Sequence, residues 1–290
     1  MLSKNIFIFI ALFSSFVNPL SRINLIMKKE GKLESKYKNM EFYKPKTLNQ
    51  ENYIECLNDD KTRIIFAIGP AGTGKTALAC NIAIKEYELG KYNKIIITRP
   101  VVPVEEDIGF LPGTINKKMD PWIRPIFDVF LEFYSQKDLD NMLYNHIIEI
   151  APLGFMRGRT FKNAFIIGDE MQNSSPNQMM MLTTRIGDGS KMVITGDLKQ
   201  TDKSEQDSGL NHIINKFRIY REIEEKKYNT TSINYGIKLI MFEKNDIMRD
   251  PIIKKILDIY EVDNKLLIKN LDSDSAIIPK RFYKDEWPLL

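Results

Sequence analysis

Cysteine and histidine are scarce in this sequence. The chain of 290 residues contains only two of each, namely Cys56, Cys80, His146 and His212. Two cysteines exclude a disulfide framework, and so few thiol and imidazole ligands argue against a zinc site, so we expect no bound zinc. Long apolar runs are also missing after residue 27, and no later segment is therefore expected to cross a membrane.

A large excess of charge of either sign is missing as well. The sequence has 42 Lys and Arg residues against 38 Asp and Glu residues, which gives a net charge of +4 at pH 7. Such a small excess permits an anionic partner without requiring one. With 43% hydrophobic and 28% charged residues, the chain has the composition of a globular protein with a sizeable core.

The start of the chain forms a separate hydrophobic segment, which we place at residues 1–27. Residues 5–21 carry no charge and follow a single lysine, Lys4. After Asn5 they begin with the apolar run IFIFIALF. This is the shape of a signal, targeting or membrane-anchor sequence, although the run is short for a span. Initiation at Met27 or Met40 would instead leave the segment outside the protein. Apart from this segment, we expect a cytoplasmic protein.

The rest of the chain divides into a polar basic linker at residues 28–46, one domain at residues 47–262 and a polar tail at residues 263–290. Within the domain, short apolar runs alternate with helical segments, an order typical of a mostly parallel sheet with helices on both faces. Strands are predicted at residues 63–68, 94–98, 147–151, 164–168, 191–195 and 237–242, and the main helices at 75–89, 126–144 and 207–226, with irregular chain from 100 to 125. The predicted class is α/β, and ligands are expected at the carboxyl edge of the sheet.

A glycine-rich loop connects the first predicted strand to a helix. It reads GPAGTGKT and fits the pattern G-x-x-x-x-G-K-[ST] in the strand–loop–helix context that this pattern requires. Backbone N–H groups of such a loop point inward and bind phosphate, and the helix N-terminus favours anions. The residues expected to contact a nucleotide are Gly69, Pro70, Ala71, Gly72, Thr73, Gly74, Lys75 and Thr76. Among them, Lys75 is assigned to the β- and γ-phosphates and Thr76 to Mg²⁺.

Two adjacent acids follow the strand predicted at residues 164–168. Asp169 and Glu170 open the polar part of IIGDEMQN. We expect this strand to lie beside the strand of the phosphate loop, which would place Asp169 on the Mg²⁺ shell and Glu170 on the attacking water. The alternative is that the two acids only cap a strand end in solvent.

Further polar side chains follow other strands. Gln200 in VITGDLKQ is predicted to contact the γ-phosphate or the water, unless this is an ordinary polar turn. Arg249, at the start of a late helix, is predicted to reach a γ-phosphate in its own subunit or in a neighbouring one. The three arginines that suit phosphate or nucleic-acid contacts, or else line a solvated loop, are Arg99, Arg157 and Arg159.

In order and spacing, these segments resemble the PhoH family, a branch of the P-loop ATPases related to superfamily 1 helicases. The resemblance covers residues 50–260 and is carried by GPAGTGKT, IIITRP, GFLPGTINKKMDPWIRPIFD, IEIAPLGFMRGRT, FIIGDEMQN, SKMVITGD and IMRDPIIKKI. It implies a RecA-like P-loop NTPase domain that binds and hydrolyses ATP with Mg²⁺. Members are linked to phosphate starvation and RNA metabolism and often form rings, so the implied partners are single-stranded RNA and further copies of the chain.

The resemblance also implies roles for single residues. It assigns the Walker B acids to Asp169 and Glu170, a sensor role to Gln200, a late arginine motif to Arg249, and contact with adenine to Gln50. These assignments agree with the expectations drawn from the strand ends and add only the residue for the base.

Three departures from the family pattern leave the function open. Gly168 stands where a larger apolar residue is usual, from which we expect a small packing deficit of about 1 kcal/mol. The usual Leu-Pro-Arg turn after Gln200 is missing, and residues 221–236 are expected to form a longer surface loop. A nucleotide-dependent binding module with little turnover is therefore the alternative to an ATPase. A small-molecule kinase is less favoured, since no acceptor site or lid is recognisable, and one RecA-like half is not a complete helicase.

Overall fold

The computed structural model describes residues 42–100, 115–200, 207–229 and 235–248, with residues 252, 253, 255, 256 and 259 of a later helix. For residues 115–122 the description covers the backbone alone. The hydrophobic segment, most of the linker, Arg249 and the predicted tail lie outside the described residues. Within them, no helix combines the length and the apolar character that crossing a membrane requires.

Helices and strands alternate along the described part of the chain. The longer helices are α1 (Leu48–Asn58), α2 (Lys75–Glu88), α3 (Ile115–Leu131), α4 (Gln136–Tyr144), α5 (Pro176–Thr183) and α6 (Gly209–Tyr228). The strands are β1 (Ile64–Ile68), β2 (Lys94–Thr98), β3 (Ile148–Ile150), β4 (Ala164–Gly168), β5 (Lys191–Gly196) and β6 (Ile237–Met241). Single 3₁₀ turns lie at Leu153–Phe155, Met171–Asn173 and Lys244–Asp246.

These strands form one parallel sheet in the order β3-β2-β4-β5-β1-β6. In register, Ile65 of β1 pairs with Val193 of β5 on one side and with Lys238 of β6 on the other. Parallel strands bring all their carboxyl ends to one edge, so the loops after β1, β4 and β5 meet there. The predicted α/β class is confirmed, and the arrangement is consistent with a RecA-like P-loop NTPase. The expectation that β4 lies beside β1 was wrong, because β5 is inserted between them.

The strand side chains alternate between two apolar layers. On one face, Ile65 and Phe165 belong to the core that α1, α2, α3 and α4 cover. On the other face, Phe66 and Ile166 belong to the core that α5 and α6 cover. Since burying one such side chain contributes about 1.5–3 kcal/mol, the two layers hold the sheet rigidly beneath its carboxyl edge.

Helix α3 occupies part of the chain that we predicted to be irregular. It includes Pro121 and Pro125, and an internal proline costs a helix about 3 kcal/mol. The side chains of Ile123, Ile126 and Phe130 are nevertheless buried in the first core layer. Burial of three large side chains at about 1.5–3 kcal/mol each offsets that cost, so tertiary packing overrides the local signal here.

Two other boundaries differ from those predicted. The single helix expected at residues 126–144 is divided into α3 and α4, because Ser135 caps α4 by accepting a hydrogen bond from the Asp138 N–H at 3.2 Å. Helix α6 extends to Tyr228, so the first half of the surface loop expected at residues 221–236 is helical.

Two aromatic residues from the segment assigned to the linker pack on the domain. The ring of Phe42 stacks on Phe133 with 5.5 Å between centroids. Tyr43 donates its hydroxyl to Glu132 at 2.5 Å and its backbone N–H to the Asn81 side chain at 3.2 Å. The chain is therefore fixed to α2 and to the residues after α3 before α1 begins.

A buried cation joins the opposite, amino edge of the sheet to α1. Lys191 is 2% exposed, and its ammonium donates to the backbone oxygens of Cys56, at 3.3 Å, of Leu57, and of Asp59, at 2.9 Å. These carbonyls lie at the C-terminus of α1, where a positive charge is favourable. Burial lowers the pKa of the Lys191 ammonium to about 8. This polar cluster therefore has its partners within the fold and connects α1 to the sheet.

Candidate nucleotide-binding site

The loop between β1 and α2 has a backbone path that depends on its glycines. Gly69, Gly72 and Gly74 have φ angles of 148°, 83° and 86°, a region that side chains disfavour. At Gly69 an added Cβ would also lie 2.4 Å from the backbone oxygen of Phe242. The glycine pattern therefore allows both the curl of the loop and the close passage of the segment after β6.

Backbone donors of this loop are available to an anion. The N–H groups of Gly72, Gly74 and Thr76 have no hydrogen-bond acceptor within the described residues. They lie at the N-terminus of the 14-residue helix α2, whose dipole favours negative charge. The Lys75 ammonium lies against the same loop, 2.6 Å from the oxygen of Gly69 and 2.7 Å from that of Pro70. The loop therefore fits a nucleotide phosphate.

Three oxygen-bearing side chains meet beside the loop. The hydroxyl of Thr76 donates to Oδ1 of Asp169 at 2.6 Å, and the hydroxyl of Thr195 donates to the same oxygen at 2.6 Å. Asp169 is 5% exposed, and its Oδ2 lies 3.9 Å from the guanidinium of Arg99. A compact set of hydroxyl and carboxylate oxygens is the donor set that Mg²⁺ prefers, so these residues fit the ion.

Gln50 lies against the phosphate loop from the side of α1. Its amide nitrogen donates to the backbone oxygen of Thr73 at 3.0 Å, and its amide oxygen accepts from the N–H of Lys46 at 2.8 Å. Thr47 caps α1 and accepts from the Gln50 N–H at 3.3 Å. The side chain is 4% exposed, so its position is fixed by the loop itself.

A segment that sequence reasoning did not assign, residues 242–248, crosses the same region. The N–H of Phe242 donates to the oxygen of Ile68 at 2.7 Å, and that of Met248 donates to Gly72 at 2.9 Å. Asp246 accepts from the amide of Asn49 at 2.8 Å, which connects the segment to α1. This segment, which we call the strap (residues 242–248), leads directly to position 249, and the arginine there lies outside the described residues.

Glu170 is held in an unusual way. Its φ and ψ angles are 51° and 41°, a left-handed conformation that is rare for residues other than glycine. Its carboxylate accepts from the amide of Gln172 at 2.6 Å. Strained backbone of this kind costs about 1–3 kcal/mol and is common at functional sites. The acid therefore has a defined position close to Asp169.

The remaining predicted residues are spread over the carboxyl edge. Gln200 is exposed, and its backbone oxygen accepts from Gln172 at 3.2 Å. Arg157 is exposed, whereas Arg159 is 2.5 Å from Glu149 and stacks on the ring of Phe161 at 4.7 Å. Both arginines follow β3, which is four strand spacings or roughly 19 Å from β1. The structure therefore separates these two arginines from the phosphate loop and brings Arg99 near it.

The sequence analysis did not assign two residues that contact the acids of this site, Thr195 and Gln172. Thr195 ends the run KMVIT, and its position at a strand end was the available signal. Gln172 lies two residues after Glu170 and was treated only as part of the polar run. Its role depends on contacts with Asp197, Gln200 and Ser208, which no local pattern reveals.

Comparison with known proteins agrees with this geometry. Residues 43–261 match the family described as PhoH-like protein. A PhoH-like protein of Synechocystis sp. is 38% identical over 228 residues, which cover 78% of this chain and 65% of that protein. A PhoH-like protein of Bacillus subtilis is 38% identical over 219 residues, covering 76% of this chain and 64% of that protein. Protein PhoH of Escherichia coli is 34% identical over 214 residues, covering 73% of this chain and 56% of that protein.

The matched region thus spans less than two thirds of the length of these relatives. The family match itself covers most of this chain, and the parallel sheet with a phosphate loop after β1 agrees with it. The resemblance inferred from the sequence is confirmed. The chain belongs to the PhoH-like family of P-loop NTPases.

Proposed function

We propose that this chain binds ATP with Mg²⁺ and hydrolyses it to ADP and phosphate. The observation that carries the proposal is the contact of Thr76 with Asp169 at 2.6 Å, beside a loop with available N–H donors. Thr76 and Asp169 would hold Mg²⁺, which supplies positive charge to the phosphate oxygens when it is bound. Lys75 adds a second positive charge, and Gln50 borders the position assigned to the base.

In this proposal, the remaining polar residues act on water. Glu170 orients the water that attacks the γ-phosphorus and accepts its proton, and the bond from the γ-phosphorus to the bridging oxygen breaks as the new bond forms, so that ADP leaves. The left-handed backbone of Glu170 and its hydrogen bond to Gln172 support a fixed direction for the carboxylate. Gln200 senses the γ-phosphate from the loop after β5, and Arg249 contributes from the same or a neighbouring subunit.

The finer part of the proposal concerns partners. We place single-stranded RNA at the carboxyl edge, where the exposed Arg157 offers a phosphate contact. Arg159 is the weaker candidate because Glu149 already neutralises its charge at 2.5 Å. We further propose that several chains assemble into a ring, in which residues of a neighbouring chain would complete the nucleotide site.

The test is phosphate release by the full chain with Mg²⁺ and ATP, with and without single-stranded RNA. Glu170→Gln is expected to lower turnover at least about 100-fold while ATP still binds, since general base catalysis contributes about 10²–10⁴-fold. Glu149→Gln, which changes a carboxylate on β3, four strand spacings from β1, is the control and should retain turnover in the absence of RNA. Folded wild-type protein without turnover in either condition would refute the ATPase.

A nucleotide-dependent binding module is the second candidate. It is favoured by the engagement of Glu170 with Gln172, since a carboxylate restrained in this way need not reach a water. Tight ATP binding with no hydrolysis, unchanged in Glu170→Gln, would support this candidate. Loss of RNA binding in Arg157→Gln, with no change in Arg185→Gln, would support the RNA contact in either case.

A further inference from the structure

Gln172 is a buried polar side chain that contacts several groups of the site. It is 2% exposed and lies in the 3₁₀ turn that follows Glu170. Its amide nitrogen donates to the Glu170 carboxylate at 2.6 Å and to the backbone oxygen of Gln200 at 3.2 Å. Its amide oxygen accepts from the N–H of Asp197 at 3.2 Å. Both ends of one side chain thus join the loop after β4 to the loop after β5.

The Gln172 side chain occupies space that a side chain at position 196 would fill. An added Cβ at Gly196 would lie 2.7 Å from the Gln172 amide oxygen and 3.3 Å from its backbone nitrogen. The Gln172 backbone oxygen also accepts from the hydroxyl of Ser208, the residue that caps α6, at 2.9 Å. The glutamine is therefore held on three sides, and it cannot rotate without breaking contacts to both loops.

Only an amide satisfies this combination of partners. A carboxylate needs a donor, the backbone oxygen of Gln200 needs a donor, and the N–H of Asp197 needs an acceptor. Glutamic acid at position 172 would keep the acceptor but place a second negative charge beside Glu170. Methionine would keep the length and lose every hydrogen bond.

From this geometry we propose that Gln172 is a positioning residue, which holds the Glu170 carboxylate in a fixed relation to the loop that carries Gln200. The inference rests on the proposed ATPase function. Its consequence is that the direction in which Glu170 orients water depends on the position of residues 197–200. A phosphate or partner that shifts this loop would thereby change turnover without contacting Glu170.

The test compares Gln172→Met and Gln172→Glu with wild-type protein. The expected result is a fall in kcat of roughly 10- to 100-fold, a part of what a general base contributes, with KM for ATP changed less than about threefold. The separation of kcat from KM is the decisive readout, because loss of a positioning contact slows the chemical step while the phosphate loop still binds ATP.

Ser174→Ala is the matched control, because Ser174 lies in the same turn, is buried and donates to the oxygen of Met171 at 2.6 Å. It should leave kcat and KM for ATP near the wild-type values, whatever it does to the melting temperature. Gln172→Glu keeps the acceptor for Asp197 and so provides a folded variant if Gln172→Met unfolds.

The outcomes separate this inference from the proposed function. Active wild-type protein together with an unchanged kcat in either folded variant would overturn the role of Gln172 alone. A lower melting temperature with an unchanged kcat would have the same meaning, since it would show a purely structural role. Wild-type protein without turnover would overturn the proposed function and this inference together.

Discussion

The two loops that form the nucleotide site are held by different kinds of contact. The phosphate loop is fixed by its backbone, with the N–H of Gly69 on Gly196 at 3.1 Å and the N–H of Met248 on Gly72 at 2.9 Å. The loop after β4 has a backbone contact from the Asp169 N–H to Thr98 at 2.9 Å, but its two acids are held chiefly by the side chains of Gln172 and Thr195. The first arrangement needs glycines and tolerates varied side chains around it, whereas the second needs particular hydrogen-bonding groups.

This difference explains which half of the site is easy to recognise in a sequence. A backbone-held loop leaves a compact pattern of glycines, because each positive φ angle and each close approach constrains one position. A loop held by side chains leaves its signal scattered over distant strands, since each partner lies at another strand end. The following predictions test this contrast, from the largest expected effect on nucleotide binding to the smallest.

Lys75→Met should have the largest effect, because it removes the positive charge from the phosphate loop. A hydrogen bond to a charged group contributes about 1.5–3 kcal/mol, so the affinity for ATP should fall roughly 10- to 100-fold. Calorimetric titration with Mg²⁺ and ATP measures this change. Lys85→Met, on the same helix but beside Phe133 and away from the loop, should bind ATP like the wild type. Equal affinity in the two variants would contradict the assignment of Lys75.

Gly69→Ala should disturb the backbone-held loop. The new Cβ would meet a backbone oxygen at 2.4 Å, and φ would remain near 148°. Overpacking of this kind costs about 1–3 kcal/mol, and the affinity for ATP should fall with it. Urea unfolding measures the loss. Gly154→Ala is the control, since its Cβ would meet nothing within 4 Å. A loss in the free energy of unfolding no larger than in the control would show that the strap after β6 moves to accommodate the new Cβ.

Thr195→Val should weaken the side-chain-held half. It removes the hydroxyl that donates to Asp169 at 2.6 Å and nearly preserves the volume. The Mg²⁺ concentration for half-maximal ATP binding should rise about tenfold, which corresponds to about 1.4 kcal/mol. Thr183→Val removes a comparable hydroxyl, which donates to Met179 at 2.9 Å on α5, and should leave the Mg²⁺ requirement unchanged. An unchanged requirement in Thr195→Val would exclude that contact from the ion site.

Gly168→Ala should have the smallest effect and forms a direct pair with Gly69→Ala. Its Cβ would lie 3.1 Å from Leu182 Cδ2 and 3.3 Å from Met171 Cγ, so side chains must yield by a few tenths of an ångström. We expect a loss below about 1 kcal/mol in urea unfolding, because flexible side chains adapt where a backbone oxygen does not. A loss as large as in Gly69→Ala would remove the contrast between the two loops.

The same distances correct the expectation of a packing deficit at Gly168. Leu182 and Met171 already occupy the space in which a larger residue was expected, so no void is left beside the strand. A single glycine in a strand does not reveal which neighbour fills the space above it, since both neighbours lie on later elements. Gly168→Leu would therefore crowd the turn and would not fill a gap.

Much of the fold follows from local pattern, and its exceptions share one cause. The strands Lys94–Thr98 and Ala164–Gly168 were both predicted with their observed bounds. The first part of helix α3, residues 115–125, was missed because Pro121 and Pro125 argue for a break, and only burial against the sheet decides otherwise. The position of β5 between β4 and β1 was also missed, because the connections between parallel strands have similar lengths and do not indicate which strands are neighbours.

By itself, the sequence determined the α/β class, the phosphate loop and the identity of the two acids, because each rests on short-range geometry. Glycine conformations, strand periodicity and the strand–loop–helix context depend on a few neighbouring residues, so a short segment of the sequence is enough to reveal them. The tertiary structure decided that Thr195 shares Asp169 with Thr76, that Gln172 connects two loops, and that Arg159 pairs with Glu149. These facts depend on which strand ends meet at one edge, and that is set by burial in the two core layers.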